Sequence, residues 1–220
     1  MRTTILRIIK SLFFNTFLWK YFLPVMKFDM SIKQLNFILD TIHEIDHDGA
    51  IVEIGVGGGA SSIVINKFIQ SNSINRKFFA IDTFYGFTIE DISYENKIRG
   101  KADSYKYYRS NSLSWYTKTL KANGILNANI FKADAKEFDY NLIGPIAFCL
   151  FDVDLYNPTA KVLPILYSKL IPGGVIIVDD CQTDTSIYDG AGEAYREFCK
   201  KNNLPEELLH YKLGVIRKPK

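Results

Sequence analysis

Ile51-Val-Glu-Ile-Gly-Val-Gly-Gly-Gly-Ala60 is the stretch from which the rest of the chain can be read. The apolar run Ile51 to Ile54 has the length and composition of a buried strand. Gly55, Gly57 and Gly59 follow at once, and Ala60 to Gln70 continues with helical spacing. Strand, glycine-rich turn and helix form the opening unit of nucleotide-cofactor folds. There glycine allows a tight turn, close approach to a ligand, and close helix–strand packing. Glu53 stands inside the apolar strand, where a carboxylate is costly without a partner. A positively charged cofactor group would be one.

Outward from this unit the chain alternates strands and helices. Lys77 to Ile81, Asn129 to Lys132, Ile146 to Phe151 and Val175 to Val178 read as further strands. Helices are expected over 31–43, 113–123, from Pro158 to about Leu170, and over 190–202. Residues 208–216 read as a closing hairpin or edge strand. Near-continuous apolar strands separated by helices predict an α/β fold with a doubly wound, mostly parallel sheet. Residues 84–112 are longer than a strand–helix connection needs and read as an insertion, a lid or substrate wall. One domain is expected over 31–220, preceded by a leader over 1–30.

The net charge of +3 is uneven. Arg2, Arg7, Lys10, Lys20 and Lys27 against Asp29 give the leader +4, which leaves about −1 for the remainder. A nucleic-acid surface on the main domain is therefore not expected. Within 1–26 basic residues alternate with apolar ones, and the longest charge-free run, Ser11 to Trp19, is too short to span a bilayer. This leader is expected to pack on the domain or a second subunit, to lie on an anionic membrane surface, or to act as a substrate lid. A homo-oligomer is expected. Cys149, Cys181 and Cys199 are odd in number and lack metal-type spacing, which suits a reducing, cytoplasmic setting. Peripheral contact would then be with the inner membrane face.

Ligands of such sheets bind at the carboxyl ends of the strands, and acidic residues gather there: Glu53, Asp82, Asp134, Asp152, Asp154, Asp179 and Asp180. Asp82 stands where a ribose-binding carboxylate is expected, or it caps a loop. Asp134 is a candidate for the adenine edge, or for a helix N-cap. Asp152 and the pair Asp179/Asp180 end consecutive strands. Carboxylates brought that close repel unless a cation joins them or some are protonated. Oxygen-only ligands favour Mg²⁺ or Ca²⁺, with Mn²⁺ as a third choice. Separate capping by each Asp is the alternative.

The segments Val52–Ser61, Asp82-Thr-Phe-Tyr-Gly-Phe87, Asp152-Val-Asp-Leu-Tyr156, Pro172-Gly-Gly174 and Val178-Asp-Asp180 together resemble the macrocin-type O-methyltransferases. The resemblance covers roughly residues 48–200. It departs at Tyr85, where the family carries an acidic residue, and at Cys181, where it carries an aromatic. It implies a class I, S-adenosylmethionine-dependent and Mg²⁺-dependent enzyme that methylates a hydroxyl of a sugar or glycan. By the same resemblance Asp152, Asp179 and Asp180 would hold the metal, and Asp154 would be the general base or position the hydroxyl. Glu53, Gly55, Gly57 and Ser61 would line the methionine part of the cofactor, and Asp82 the ribose.

Three other functions fit parts of the sequence. A catechol-type phenol O-methyltransferase would also chelate two oxygens through a metal. An NAD-dependent dehydrogenase would use Asp82 equally well, but has no evident hydride-transfer acid here. A non-catalytic membrane-associated protein would work through the leader alone.

Overall fold

The computed structural model describes residues 30–102, 105, 109–183 and 187–220, together with 5, 8, 9, 11, 12, 16 and 17. Most of the leader therefore lies outside the described residues. Ile5, Ile8, Ile9 and Leu12 are exposed. Among the described residues no helix is long and apolar enough to cross a membrane.

Seven strands form one sheet: β1 (Ala50–Ile54), β2 (Phe78–Asp82), β3 (Asn129–Lys132), β4 (Ile146–Phe151), β5 (Leu170–Val178), β6 (Glu207–Leu209) and β7 (Leu213–Arg217). Their order is β3-β2-β1-β4-β5-β7-β6. The first five are parallel, and β7 runs antiparallel to both β5 and β6. The expected doubly wound sheet with a closing hairpin is present. Strand order reverses between β1 and β4, and a crevice opens at such a point above the strand ends.

Strand alternation divides the core into two layers. Val52, Ile54, Cys149, Phe151, Ile176 and Val178 face one side. They pack there on α5 (Tyr156–Lys169), through Val162, Leu163 and Leu166, and on α6 (Gly190–Lys201), through Tyr195 and Phe198. Ile51, Phe148, Leu150, Val175 and Ile177 face the other side. That layer is covered by α1 (Ile32–Glu44), α2 (Ala60–Ser71) and α4 (Leu113–Ala122). Both layers are apolar, which is why the central strands read as unbroken hydrophobic runs.

Helix ends follow their local chemistry. Ser31 and Gln34 form a reciprocal capping box, with Gln34 N donating to Ser31 Oγ at 3.3 Å and Ser31 N to Gln34 Oε1 at 2.6 Å. At the other end of α1, Arg76 donates to the carbonyls of Ile42, Ile45 and His47, so one guanidinium fork ties the last turn of the helix to the chain that leaves it. α5 begins at Tyr156, two residues before the expected Pro158. The insertion is not all loop. It contains α3 (Ile89–Lys97), capped by Thr88, whose Oγ1 accepts from Asp91 N at 3.1 Å.

Candidate active site

The glycine turn is fixed from both sides. Gly55 has φ of 79°, and a Cβ there would stand 1.6 Å from the Asp152 carbonyl oxygen, so only glycine lets β1 and β4 end this close together. The Asp82 carboxylate accepts from Val56 N at 2.8 Å and from Phe84 N at 2.6 Å, tying the end of β2 to the turn. Gly59, at φ of 88°, opens α2 with no side chain capping it. A Cβ on Gly57 or Gly58 would meet nothing within 4 Å. The open space beside Gly57 and Gly58, at the N-terminus of α2, suits the close approach of a polar or anionic ligand group.

Glu53 is fully buried one layer behind the turn. It accepts from Ser61 Oγ and Ser62 Oγ, each at 2.5 Å, and Tyr116 Oη donates to Ser62 Oγ at 2.9 Å. Burial pushes its carboxyl up to about 7, the two serine bonds only partly opposing this and Asp82 adding to it. Its costly position in an apolar strand is thus answered first by hydroxyls of the chain itself. Ser61 also lines the cleft, so it links Glu53 to whatever binds there. Ser62 and Tyr116 escaped the sequence reading. The adjacent serine carried a signal; the tyrosine, 54 residues from Ser62, carried none.

One cleft runs from the glycine turn past Asp82 and Asp134 to Asp152 and Asp154, with Phe87, Thr88 and Asp91 of the insertion on its wall. The insertion therefore does border the cleft. Asp134 accepts from Lys136 N at 2.9 Å and pairs with its ammonium at 3.0 Å. Lys136 also pairs with Asp91 at 2.5 Å and is itself almost fully buried. It joins the end of β3 to helix α3.

At the other end of the cleft, one oxygen each of Asp152, Asp154 and Asp180 lies within 4.8 Å of the others. Asp154 and Asp180 adopt φ of 61° and 55°, a left-handed conformation that non-glycine residues seldom hold and that recurs at functional sites. Burial raises the pKa of Asp152 and Asp154 well above the carboxylate range. For Asp152 the neighbouring Asp179, Asp154 and Asp180 add to this, and for Asp154 a hydrogen bond to Asp180 does so. Asp179 stands apart from the converging three. Its Oδ2 pairs with Lys212 Nζ at 2.7 Å, while its Oδ1 is buried without a hydrogen-bond partner. Burial pushes Asp179 up to about 6 against the pull of Lys212. The expected set of Asp152, Asp179 and Asp180 is therefore adjacent, as neighbouring β4 and β5 require. The oxygens that converge, however, belong to Asp152, Asp154 and Asp180. Three carboxylates and an orphaned buried oxygen fit a hard divalent cation.

The mostly parallel seven-stranded sheet, with antiparallel β7 set between β5 and β6 and a glycine turn at its switch point, matches the class I methyltransferase fold. The profile of the TylF family, Macrocin-O-methyltransferase, matches residues 24–215, and the chain belongs to that family. It is thus an O-methyltransferase, and S-adenosylmethionine is the cofactor of these families. Among solved structures it resembles the O-methyltransferase NovP, at TM-score 0.71 and 20% identity over 86% of this chain and 81% of that one. It also resembles CalS11, a calicheamicin methyltransferase, at TM-score 0.68 and 22% identity over 84% and 79%. The apo form of CalS11, described as a TDP-rhamnose 3'-O-methyltransferase, aligns at TM-score 0.61 and 19% identity over the same shares. No curated protein matches the chain by sequence.

Proposed function

We propose that this chain transfers the methyl group of S-adenosylmethionine to a hydroxyl of a sugar or glycan, with a divalent cation, Mg²⁺ first, held at Asp152, Asp154 and Asp180. The observation that carries this reading is the single cleft joining the glycine turn to the converging carboxylates. A cofactor end and an acceptor end within one cleft suit an in-line displacement, where positioning supplies much of the acceleration. The macrocin family assignment and the sugar acceptor in the description of CalS11 support the choice of acceptor.

Each residue has a part that follows from its surroundings. The backbone of Gly57 and Gly58 leaves room for the cofactor to approach, and Asp82 keeps that turn in shape. Asp82 also keeps lone pairs for the ribose hydroxyls, since each oxygen accepts only one backbone N–H. Asp134, steadied by Lys136, borders the adenine side. A sugar hydroxyl is almost fully protonated near neutral pH and so a poor nucleophile. A divalent cation at the carboxylates would lower the pKa of a hydroxyl beside it. Asp154 lines the cleft, and its carboxylate oxygen not engaged by the cation would be the group to take the hydroxyl proton. Phe87 and Thr88 of the insertion form the wall against which the acceptor rests.

The test is transfer of a labelled methyl group to nucleotide sugars and to catechol, with EDTA or with Mg²⁺. Labelled sugar that depends on Mg²⁺ and falls about a hundredfold or more in Asp154→Asn is expected. Preferential labelling of catechol would favour the phenol methyltransferase instead. Full activity of Asp152→Ala in EDTA would remove the metal from the account.

A further inference from the structure

We propose that Lys136 is a positioning residue with two duties: it holds Asp134 ready for the amino group of the cofactor's adenine, and through Asp91 it fixes the wall that the insertion gives to the cleft. This rests on the adenine-side role of Asp134 proposed above. Lys136 follows closely on β3, and its side chain is only 1% exposed. A charge so deep needs close partners. Its ammonium donates to Asp91 Oδ2 at 2.5 Å and to Thr88 Oγ1 at 3.4 Å, and lies 3.0 Å from Asp134 Oδ2. An ammonium has three protons to give, and each has an oxygen within reach.

The surroundings of both carboxylates show what this ammonium holds together. Asp134 Oδ1 accepts from Lys136 N at 2.9 Å, so one residue grips both of its oxygens. Asp134 is nonetheless partly exposed and lines the cleft, with lone pairs left for an N–H donor such as an exocyclic amino group. Asp91 is 4% exposed and also reaches the cleft. Its Oδ2 accepts from Thr88 Oγ1 at 2.7 Å as well as from Lys136, and its Oδ1 accepts from Asn157 Nδ2 at 2.6 Å. Asn157 belongs to the first turn of α5, just past Asp154. The network therefore ties the end of β3, helix α3 and the start of α5 around one cleft.

Two consequences follow from sharing one ammonium. Without it Asp91 keeps a buried charge that has only neutral partners, and Asp134 loses the grip that aims it. A ligand whose amino group steadies Asp134 also steadies the ammonium, and with it Asp91 and α3. Coupling of this kind is reciprocal, so a settled α3 wall in turn favours the adenine contact. Lys136 thus links the cofactor end of the cleft to its acceptor wall without touching either ligand.

The test is calorimetric titration of S-adenosylhomocysteine, and of S-inosylhomocysteine, in which an oxygen replaces the amino group, into the full chain, with circular dichroism to verify folding. The native chain is expected to prefer the adenosyl compound by about tenfold or more. Lys136→Met should weaken that compound about tenfold and the inosyl compound less than about threefold. An equal loss for both would make Lys136 a support of the fold alone and overturn the proposal while keeping the cofactor cleft. No preference in the native chain would bring down the role of Asp134 and this inference together, and no binding of either compound would bring down the cleft as well. Hydrogen exchange reads the second duty. S-adenosylhomocysteine should slow exchange of residues 89–97 about tenfold in the native chain and less than about threefold in Lys136→Met. Equal slowing in both would overturn the link to α3. Should Lys136→Met not fold, Lys136→Met with Asp91→Asn removes the unpaired charge and takes its place in the same comparison.

Discussion

At the scale of single residues, Glu53 and Gly55 show how much one strand end is asked to do. Glu53 titrates near 7 in the folded chain, above its ordinary 4.5, because burial outweighs its two serine bonds. Between those values the folded state keeps a proton that the unfolded state has released. The contribution of Glu53 to stability therefore falls as pH rises from about 4.5 to 7 and is flat above, a change on the order of 3 kcal/mol. Glu53→Gln cannot ionise. Its stability relative to the native chain should rise by that order between pH 5 and pH 8, as read by urea denaturation. A constant difference would show that Glu53 does not titrate as its burial demands. Gly55→Ala would set a methyl 1.6 Å from a carbonyl oxygen at a positive φ, and should cost about 3 kcal/mol or more in the same measurement. Glu53, Asp82 and the glycines were legible because local pattern dictates them: an acid in an apolar strand, a turn that only glycine can make. Lys212 was not. Its meaning comes from aspartates 32 and 33 residues earlier, across a hairpin whose turn residues give no warning of what they will meet.

At the scale of elements, strands β1 to β5 could be read because both faces of each are buried, so the apolar runs are unbroken. Helix α3 could not be read from the acidic–aromatic insertion. The residues it buries are polar, Asp91 and Glu95, so no apolar stripe marks it. Glu95 Oε1 accepts from Tyr156 N at 2.8 Å, at the start of α5, while Oε2 pairs with Arg99 at 2.5 Å. Arg99 reaches on to Asp189, the residue before α6, and to Glu193 in its first turn. The insertion is thus anchored by buried charge rather than by apolar area, which keeps Phe87 and Thr88 fixed on the cleft wall. Glu95→Ala removes the cap on α5 and strips Arg99 of one partner, and should cost about 2–3 kcal/mol. Hydrogen exchange of residues 89–101 should rise in that variant while β1 and β4 stay protected. Unchanged exchange in 89–101 would mean that the ion pairs do not hold α3.

At the scale of the whole molecule, the sheet brings together what the chain keeps far apart. The turn at Gly55, the cap at Asp82 and the carboxylates at 152–154 and 180 meet because β1 lies between β2 and β4, with β5 beyond. Strand ends could be placed from sequence, and with them the candidate residues. Which oxygens converge could not, since that depends on the left-handed turns at Asp154 and Asp180. The most direct test is calorimetric titration of S-adenosylmethionine into the purified chain, with NAD⁺ in parallel and Asp82→Ala as the control. Binding in roughly the micromolar range, lost in Asp82→Ala and not seen with NAD⁺, is the result expected for a methyltransferase cleft. NAD⁺ binding without S-adenosylmethionine binding would contradict the account and return the fold to the dehydrogenase reading.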